Sequence, residues 1–421
     1  MNTSVRIEAS RRDDARSVGG GVSGSLGYLV PEFPQQTHIF FWREIQALEA
    51  SGVSVRLIST RKPDLSECKH AFAPQAVART HYVYPPRLLS VARHLALNPL
   101  RLTAALGYLA KLSADNCRER LKQQGLLACA LDLANFCGEE NITHIHGHSC
   151  ADAAHLLALC QLVGGPRFSL TLHGDLEVYG RDHQAKMADA AFVSVVGSHL
   201  KEQVHSATTI ARDRVWVTCM GIESERLGRL TPKRSDRANQ LRLVTVARLD
   251  PMKGHRYALA AVRALRDAGV DVHYVIVGGG DHRAELARKV AALDLLSNVT
   301  FAGTLGEEDV TAELMRADVF VLPSVGHGEA WPVSVMEAMA CGLPVVATII
   351  GATPEMITPD VDGLLLEQHN EKAIADALLR LARDPELRRR MGQAAKKTAR
   401  ERFDVGATAS RLLSAIVTAQ G

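Results

Sequence analysis

Short apolar runs alternate with helical stretches along most of this chain, and the alternation comes in two blocks. In the first block "LGYLV" (26–30), "VSVRLIS" (53–59), "THIHGH" (143–148), "RFSLTLH" (167–173), "AFVSVV" (191–196) and "RVWVTC" (214–219) read as strands. "HIFFWREIQALEASG" (38–52) reads as a helix that ends at Gly52. The polar, basic, proline-containing segment "GRLTPKRSDRANQ" (228–240) breaks the pattern and reads as a linker. The rhythm then restarts with "LRLVTVA" (241–247), "VHYVIVG" (272–278), "NVTFAG" (298–303), "DVFVLPS" (318–324) and "LPVVAT" (343–348). Repetition of this kind builds parallel sheets, because a parallel neighbour is reached only through a crossover connection. The expected fold class is therefore α/β, with two Rossmann-like domains facing a cleft. Ligands of such sheets sit beyond the carboxyl ends of the strands.

The expected division is a disordered tail over 1–24, an N-terminal domain over 25–228 and a linker over 229–240. A C-terminal domain over 241–400 follows, and a last helix over 401–421 packs back on the N-terminal domain. The length of 421 residues agrees with two domains rather than one core. Apolar residues make up 47% of the chain, enough to fill large cores. A net charge of +3 is small for this length and argues against nucleic acid as a partner. The eight cysteines form no C-x-x-C pair, and most lie in apolar helical surroundings. They read as reduced core residues of a cytoplasmic protein. Residues 1–24 hold Arg11, Arg12, Asp13 and Asp14, then glycines and serines. Without an apolar h-region they read as a loose tail and not as a signal peptide. No run of roughly 18 apolar residues occurs, so no spanning helix is expected.

Residues 87–122 depart from the alternation. They carry seven basic side chains against Asp115 and Glu119, with Leu and Ala at helical spacing. Two readings stand: a basic amphipathic surface that touches anionic membrane, or an ordinary solvated helix pair on the sheet.

Three segments of the second block carry chemistry. In "VARLDPMKGHRYAL" (246–259) Arg248 and Lys253 follow a strand end and precede a helix. Two cations beside a helix N-terminus can seat a diphosphate, although both could also be solvated surface charges. In "VIVGGGDHRAELARKV" (275–290) Gly278 and Gly279 let backbone approach a nucleoside, and no Walker lysine–serine pair is present. In "GHGEAWPVSVMEAMACGLPVVAT" (326–348) a helix is expected to open near Pro332. The N–H groups of Val333 and Ser334 would then point at phosphate oxygens. Glu329 precedes that helix end, and Glu337 lies on the face of Val333, within reach of a ribose. The bland alternative for the pair is a cap and a solvated helix residue, which suits Glu337 poorly among Met336, Ala338, Met339 and Ala340.

The eight-residue spacing of Glu329 and Glu337 resembles the E-x7-E motif of retaining glycosyltransferases of family 4, which have the GT-B fold. "VARLDPMKG" resembles that family's diphosphate site and "VIVGGGDHRAEL" its nucleoside loop. "VTFAGTLGEEDV", with Leu305, resembles the segment whose backbone borders the base. "VTCMGIESERL" (217–227) resembles its hinge, and "GATPEMI" (351–357) its late Gly-x-x-Pro-Glu turn. The resemblance spans most of 26–415 and is strongest in the second domain. It implies transfer of a hexose from a nucleotide diphosphate sugar, UDP ahead of GDP, with retention at the anomeric carbon and without metal or cofactor. Catalytic roles fall by resemblance on Glu329, His173, Arg248 and Lys253. Donor contacts fall on Arg248, Lys253, Gly278, Gly279, Leu305, Glu329, Ala330, Trp331, Val333, Ser334 and Glu337.

Two departures from the family pattern stand out. "YLVPEFPQQTHIFFWREI" (28–45) replaces the usual Gly-Gly loop and resembles an exopolysaccharide subgroup, with Gln36 and Thr37 taking over phosphate or acceptor contacts. Pro332 lacks an N–H that many relatives have there, and Trp331 beside it would shape the sugar pocket. In "SLTLHGDLEVYG" (169–180) His173 either packs at a strand end or contacts the donor sugar and reacting groups. His144, His146 and His148 alternate on one strand face, a spacing open to a metal reading that the family does not require. The implied acceptor is a lipid-linked glycan or polysaccharide; the expected location is cytoplasmic, and contact with the inner face of the cytoplasmic membrane rests on the first of the two readings of residues 87–122. The rival readings are a GT-B nucleotide-sugar 2-epimerase and a non-catalytic sugar-nucleotide binder.

Overall fold

The structure is a computed structural model that describes residues 24–231, 240–327 and 329–420. The tail expected over 1–24, save Gly24, and residues 232–239 of the expected linker lie outside the described residues.

The first block forms a seven-stranded parallel sheet. Its strands are β1 (Ser25–Leu29), β2 (Val55–Ser59), β3 (Thr80–Tyr82), β4 (Ile142–His148), β5 (Arg167–Leu172), β6 (Val193–Val195) and β7 (Val215–Val217). Their order across the sheet is β3-β2-β1-β4-β5-β6-β7. The second block forms a six-stranded parallel sheet of β8 (Leu241–Val246), β9 (Val272–Val277), β10 (Val299–Gly303), β11 (Val319–Leu322), β12 (Val345–Thr348) and β13 (Gly363–Leu366). Its order is β10-β9-β8-β11-β12-β13. The order therefore reverses beside β1 and β4 in one sheet and beside β8 and β11 in the other. A reversal opens a crevice at the carboxyl edge, because the two neighbouring crossovers leave on opposite faces.

The strands form where the sequence is β-branched and apolar, and β8, β9, β11 and β12 are almost wholly buried, as strands covered on both faces must be. The sequence reading did not anticipate β3 and β13. Both are short strands at sheet edges: "THY" directly follows the helix Ala73–Arg79, and "GLLL" opens on a glycine.

The two lobes meet where the chain crosses twice. Ile222 N donates to Phe403 O (2.8 Å) and Val405 N donates to Ile222 O (2.9 Å). The final helix, Val405–Gln420, then lies against the helix Ile39–Ala50, with Ala409 and Ile416 buried in that cluster beside Phe41 and Ile45. Near its end Arg167 Nη1 donates to Ala419 O (2.8 Å). Among the described residues no helix is long and apolar enough to cross a membrane.

Candidate active site

The carboxyl ends of β8 and β11 are drawn together by a glycine. Gly254 has φ +66°, and a Cβ there would stand 1.8 Å from Pro323 O, so only glycine allows this approach. The turn before it is fixed by Asp250, whose side chain accepts from Met252 N (2.8 Å), and by His255 Nε2, which donates to Arg248 O (2.9 Å). The consequence is a pair across the crevice. Lys253 Nζ donates to Glu329 Oε2 at 2.6 Å, and Ser324 Oγ donates to the same oxygen at 2.7 Å. Glu329 is only 8% exposed, so this charge-assisted pair is held in low dielectric. Gly278, with φ +143°, plays the same part at β9: a Cβ there would stand 1.9 Å from Ala247 O.

Pro332 caps the helix Val333–Ala340, so Val333 and Ser334 form its amino end. One turn further on, Glu337 meets a partner from the other lobe. Arg43, on the helix Ile39–Ala50, donates from Nη1 to Glu337 Oε1 and from Nη2 to Glu307 Oε1, both at 2.8 Å. Arg226 Nη2 donates to the same Glu307 oxygen at 2.6 Å. Arg43 is 3% exposed. Burial works against its charge, but the carboxylates of Glu337 and Glu307 outweigh burial and raise its pKa. Burial pushes the Glu307 carboxyl up, and the charge and hydrogen bond of Arg43 together with the charges of Arg226 and His70 more than reverse this, so its pKa is lowered.

Gln36 also spans the lobes. Its Nε2 donates to Leu305 O (2.9 Å), while its Oε1 accepts from Lys69 N (2.8 Å). Gln36 and Thr37 lie in the loop that precedes the helix at Ile39. His173 follows β5 directly; its Nε2 lies 2.9 Å from His148 Nδ1, and its backbone N–H donates to Tyr179 Oη (3.0 Å). Burial lowers the His173 imidazole to about 3, so the ring is neutral at neutral pH. The other β4 histidines are engaged by hydroxyls. His144 Nε2 and His146 Nδ1 each lie 2.8 Å from Ser169 Oγ, and His146 Nε2 lies 2.8 Å from Thr171 Oγ1. No group of three or more metal-ligating side chains is present among the described residues.

A cleft of about 800 Å³ opens between the lobes. Every expected site residue lines it except one: Arg248, Lys253, Gly278, Gly279, Leu305, Glu329, Trp331, Val333, Ser334 and Glu337 from one side, Gln36, Thr37 and His173 from the other. The exception is Ala330, which is turned away, buried, with its carbonyl accepting from Ala352 N (3.0 Å). Trp331 reaches the cleft only in part. Its Nε1 donates to Met336 Sδ (3.1 Å) and its ring stands edge-on to Phe403. Sequence reasoning missed Arg43 and Glu307. The one available signal was an arginine, followed by Glu44, inside the otherwise apolar "IFFWREI" of a largely buried helix.

A family model described as "Glycosyl transferases group 1" matches residues 230–398. The chain is 30% identical over 381 residues to the amylovoran biosynthesis glycosyltransferase AmsK of Erwinia amylovora, covering 85% of this chain and 90% of that protein. Among solved structures, a glycosyltransferase from Rickettsia africae superposes with a TM-score of 0.72 at 17% identity, covering 94% of this chain and 98% of that one. HepE of Anabaena, solved in complex with UDP, superposes with a TM-score of 0.68 at 16% identity, covering 94% of this chain and 100% of that one. The two parallel-sheet α/β domains are thus the GT-B arrangement.

Proposed function

This chain belongs to the group 1 glycosyl transferases, and from that premise we propose that it moves a hexose from a nucleotide diphosphate sugar to a lipid-linked or polysaccharide acceptor, with retention, in exopolysaccharide synthesis. The observation that carries this reading is the Lys253–Glu329 pair at the crevice where β8 and β11 end. A diphosphate entering there takes over Lys253 and Arg248, and the amides of Val333 and Ser334 meet its oxygens at the helix end. Glu329 is then released toward the hydroxyls of the hexose. Glu337 keeps Oε1 on Arg43 and offers its carboxylate to the ribose, while the backbone at Gly278, Gly279 and Leu305 borders the nucleoside. UDP is the nucleotide we put first, the one named in the HepE complex, with GDP its rival.

In the transfer step an acceptor oxygen bonds to the anomeric carbon on the face from which the diphosphate departs. The bond from that carbon to phosphate oxygen breaks, and the acceptor proton passes to the leaving diphosphate. Arg248, Lys253 and the helix amides stabilise the charge that grows there, without a metal. The rate of such an enzyme is unchanged by EDTA.

The acceptor side supports a membrane location. Leu88, Leu89 and Leu100 are 77%, 88% and 85% exposed on the helices Leu88–Leu97 and Pro99–Lys111. Arg93, Arg101 and Lys111 are exposed on the same two helices. Bare leucines beside solvated cations suit the headgroup region of an anionic bilayer at the cytoplasmic face.

The donor site is tested by thermal melting with UDP, GDP, ADP and their hexose conjugates. One base series raises the melting temperature by mass action, by roughly 2.7 kcal/mol of stability at 100 times Kd, and Glu337→Ala abolishes the rise. No rise with any of them would count against the donor reading.

A further inference from the structure

Phe40, His173 and Met220 line both the donor cleft and a second cavity of about 260 Å³ inside the N-terminal lobe. Its polar lining includes Glu44, His148, Thr171 and Ser194, and Arg411 reaches it from the final helix. His148 is 2% exposed. Its Nδ1 faces His173 Nε2 at 2.9 Å. Its Nε2 has no hydrogen-bond partner among the described residues, and Glu44 Oε1 lies 3.6 Å from it. That same oxygen accepts a hydrogen bond from Tyr28 Oη, at 2.7 Å.

The protons on this line can be counted. Burial keeps both imidazoles neutral, so each ring carries one proton. Between His148 Nδ1 and His173 Nε2 one nitrogen donates and the other accepts. A carboxylate oxygen facing His148 Nε2 favours the proton on that nitrogen, since otherwise two lone pairs would face each other. A separation of 3.6 Å is longer than a direct hydrogen bond, and the adjoining cavity has room for a bridging water. With its proton on Nε2, His148 accepts at Nδ1. His173 then donates from Nε2, and its Nδ1, which has no partner among the described residues, is a bare acceptor.

We propose that Glu44 and His148 are positioning residues that hold His173 in its Nε2–H tautomer from inside the lobe, so that His173 Nδ1 accepts a hydrogen bond from a substrate hydroxyl. The last clause rests on the glycosyl-transfer reading; the tautomer does not.

The test is nitrogen-15 NMR of histidine-labelled, substrate-free protein at pH 8, above the value of about 7 to which burial raises the Glu44 carboxyl. His173 is assigned by its loss in His173→Gln. The wild type shows His173 protonated at Nε2, and Glu44→Leu moves the proton toward Nδ1. In the same variant kcat for transfer falls roughly 10-fold, as when an orienting partner of a histidine is removed, with KM for the donor unchanged. His148→Phe keeps the ring packing against Tyr28 and Phe41 and serves with the same expectation if Glu44→Leu does not fold. A wild-type His173 protonated at Nδ1, or an Nε2–H tautomer that survives both variants, overturns the proposal. The expected tautomers with no sugar transfer would instead count against the proposed function and leave the relay standing.

Discussion

Arg43 shows how much one side chain can bind together. It is a buried cation between carboxylates of the other lobe, and removing it leaves Glu337 without its charge partner and Glu307 with Arg226 alone. Breaking a buried pair on one side costs about 3 kcal/mol or more, mostly through the charge left behind. Arg43→Met is therefore expected to lower stability by about 3 kcal/mol in chemical denaturation, and a loss below about 0.5 kcal/mol would show the network to be screened by water. Glu329 and Glu337 were legible in the sequence because their spacing, the proline and the helix pattern all lie within one short segment. Arg43 was not, because its partners Glu337 and Glu307 stand 294 and 264 positions away. Ala330 stands apart from the other expected donor residues: adjacency to Glu329 says nothing of which way a loop residue faces, and this one packs under the Gly351 turn.

At the scale of elements, the strands that bracket the site were read from apolar runs alone, since β8, β9, β11 and β12 are buried on both faces and need continuous apolar sequence. β3 and β13 escaped because an edge strand of a few residues carries no such signature. The helices Leu88–Leu97 and Pro99–Lys111 stood at two readings in the sequence, and their exposed leucines are where a test between the two can act. A triple variant Leu88→Ser, Leu89→Ser, Leu100→Ser is expected to lose flotation with anionic vesicles at low salt while its melting temperature stays the same or rises. Unchanged flotation would remove these helices from the membrane contact.

At the scale of the molecule, the buried histidines set the response to acid. Burial lowers His38, His144 and His155 to about 4 and His173 to about 3, from an ordinary 6.5. Below 6.5 the unfolded chain takes up protons that the folded protein refuses, so their contribution to stability is complete above 6.5 and is lost as pH falls toward 4. Each such proton is worth up to about 1.4 kcal/mol per pH unit. Glu44, raised by burial to about 7, acts in the opposite sense and stabilises as pH falls from 7 toward 4.5. Several histidines against one carboxylate give a melting temperature that is lower at pH 5 than at pH 7.5. A flat profile would mean that these rings are hydrated. The two sheets, the crossing at Ile222 and Asp404 and the bonds from Arg43 and Gln36 across the cleft bring all the proposed donor groups but Ala330 to one cavity. What that cavity does is most directly tested by incubating the protein and membranes with radiolabelled UDP- and GDP-hexoses. Label in the lipid or polysaccharide fraction, retained anomeric configuration in the product, and loss of both in an Arg248→Ala, Lys253→Ala double variant are the predicted result. Equal transfer by the double variant, or isomerisation of the free nucleotide sugar with no acceptor labelled, would contradict it.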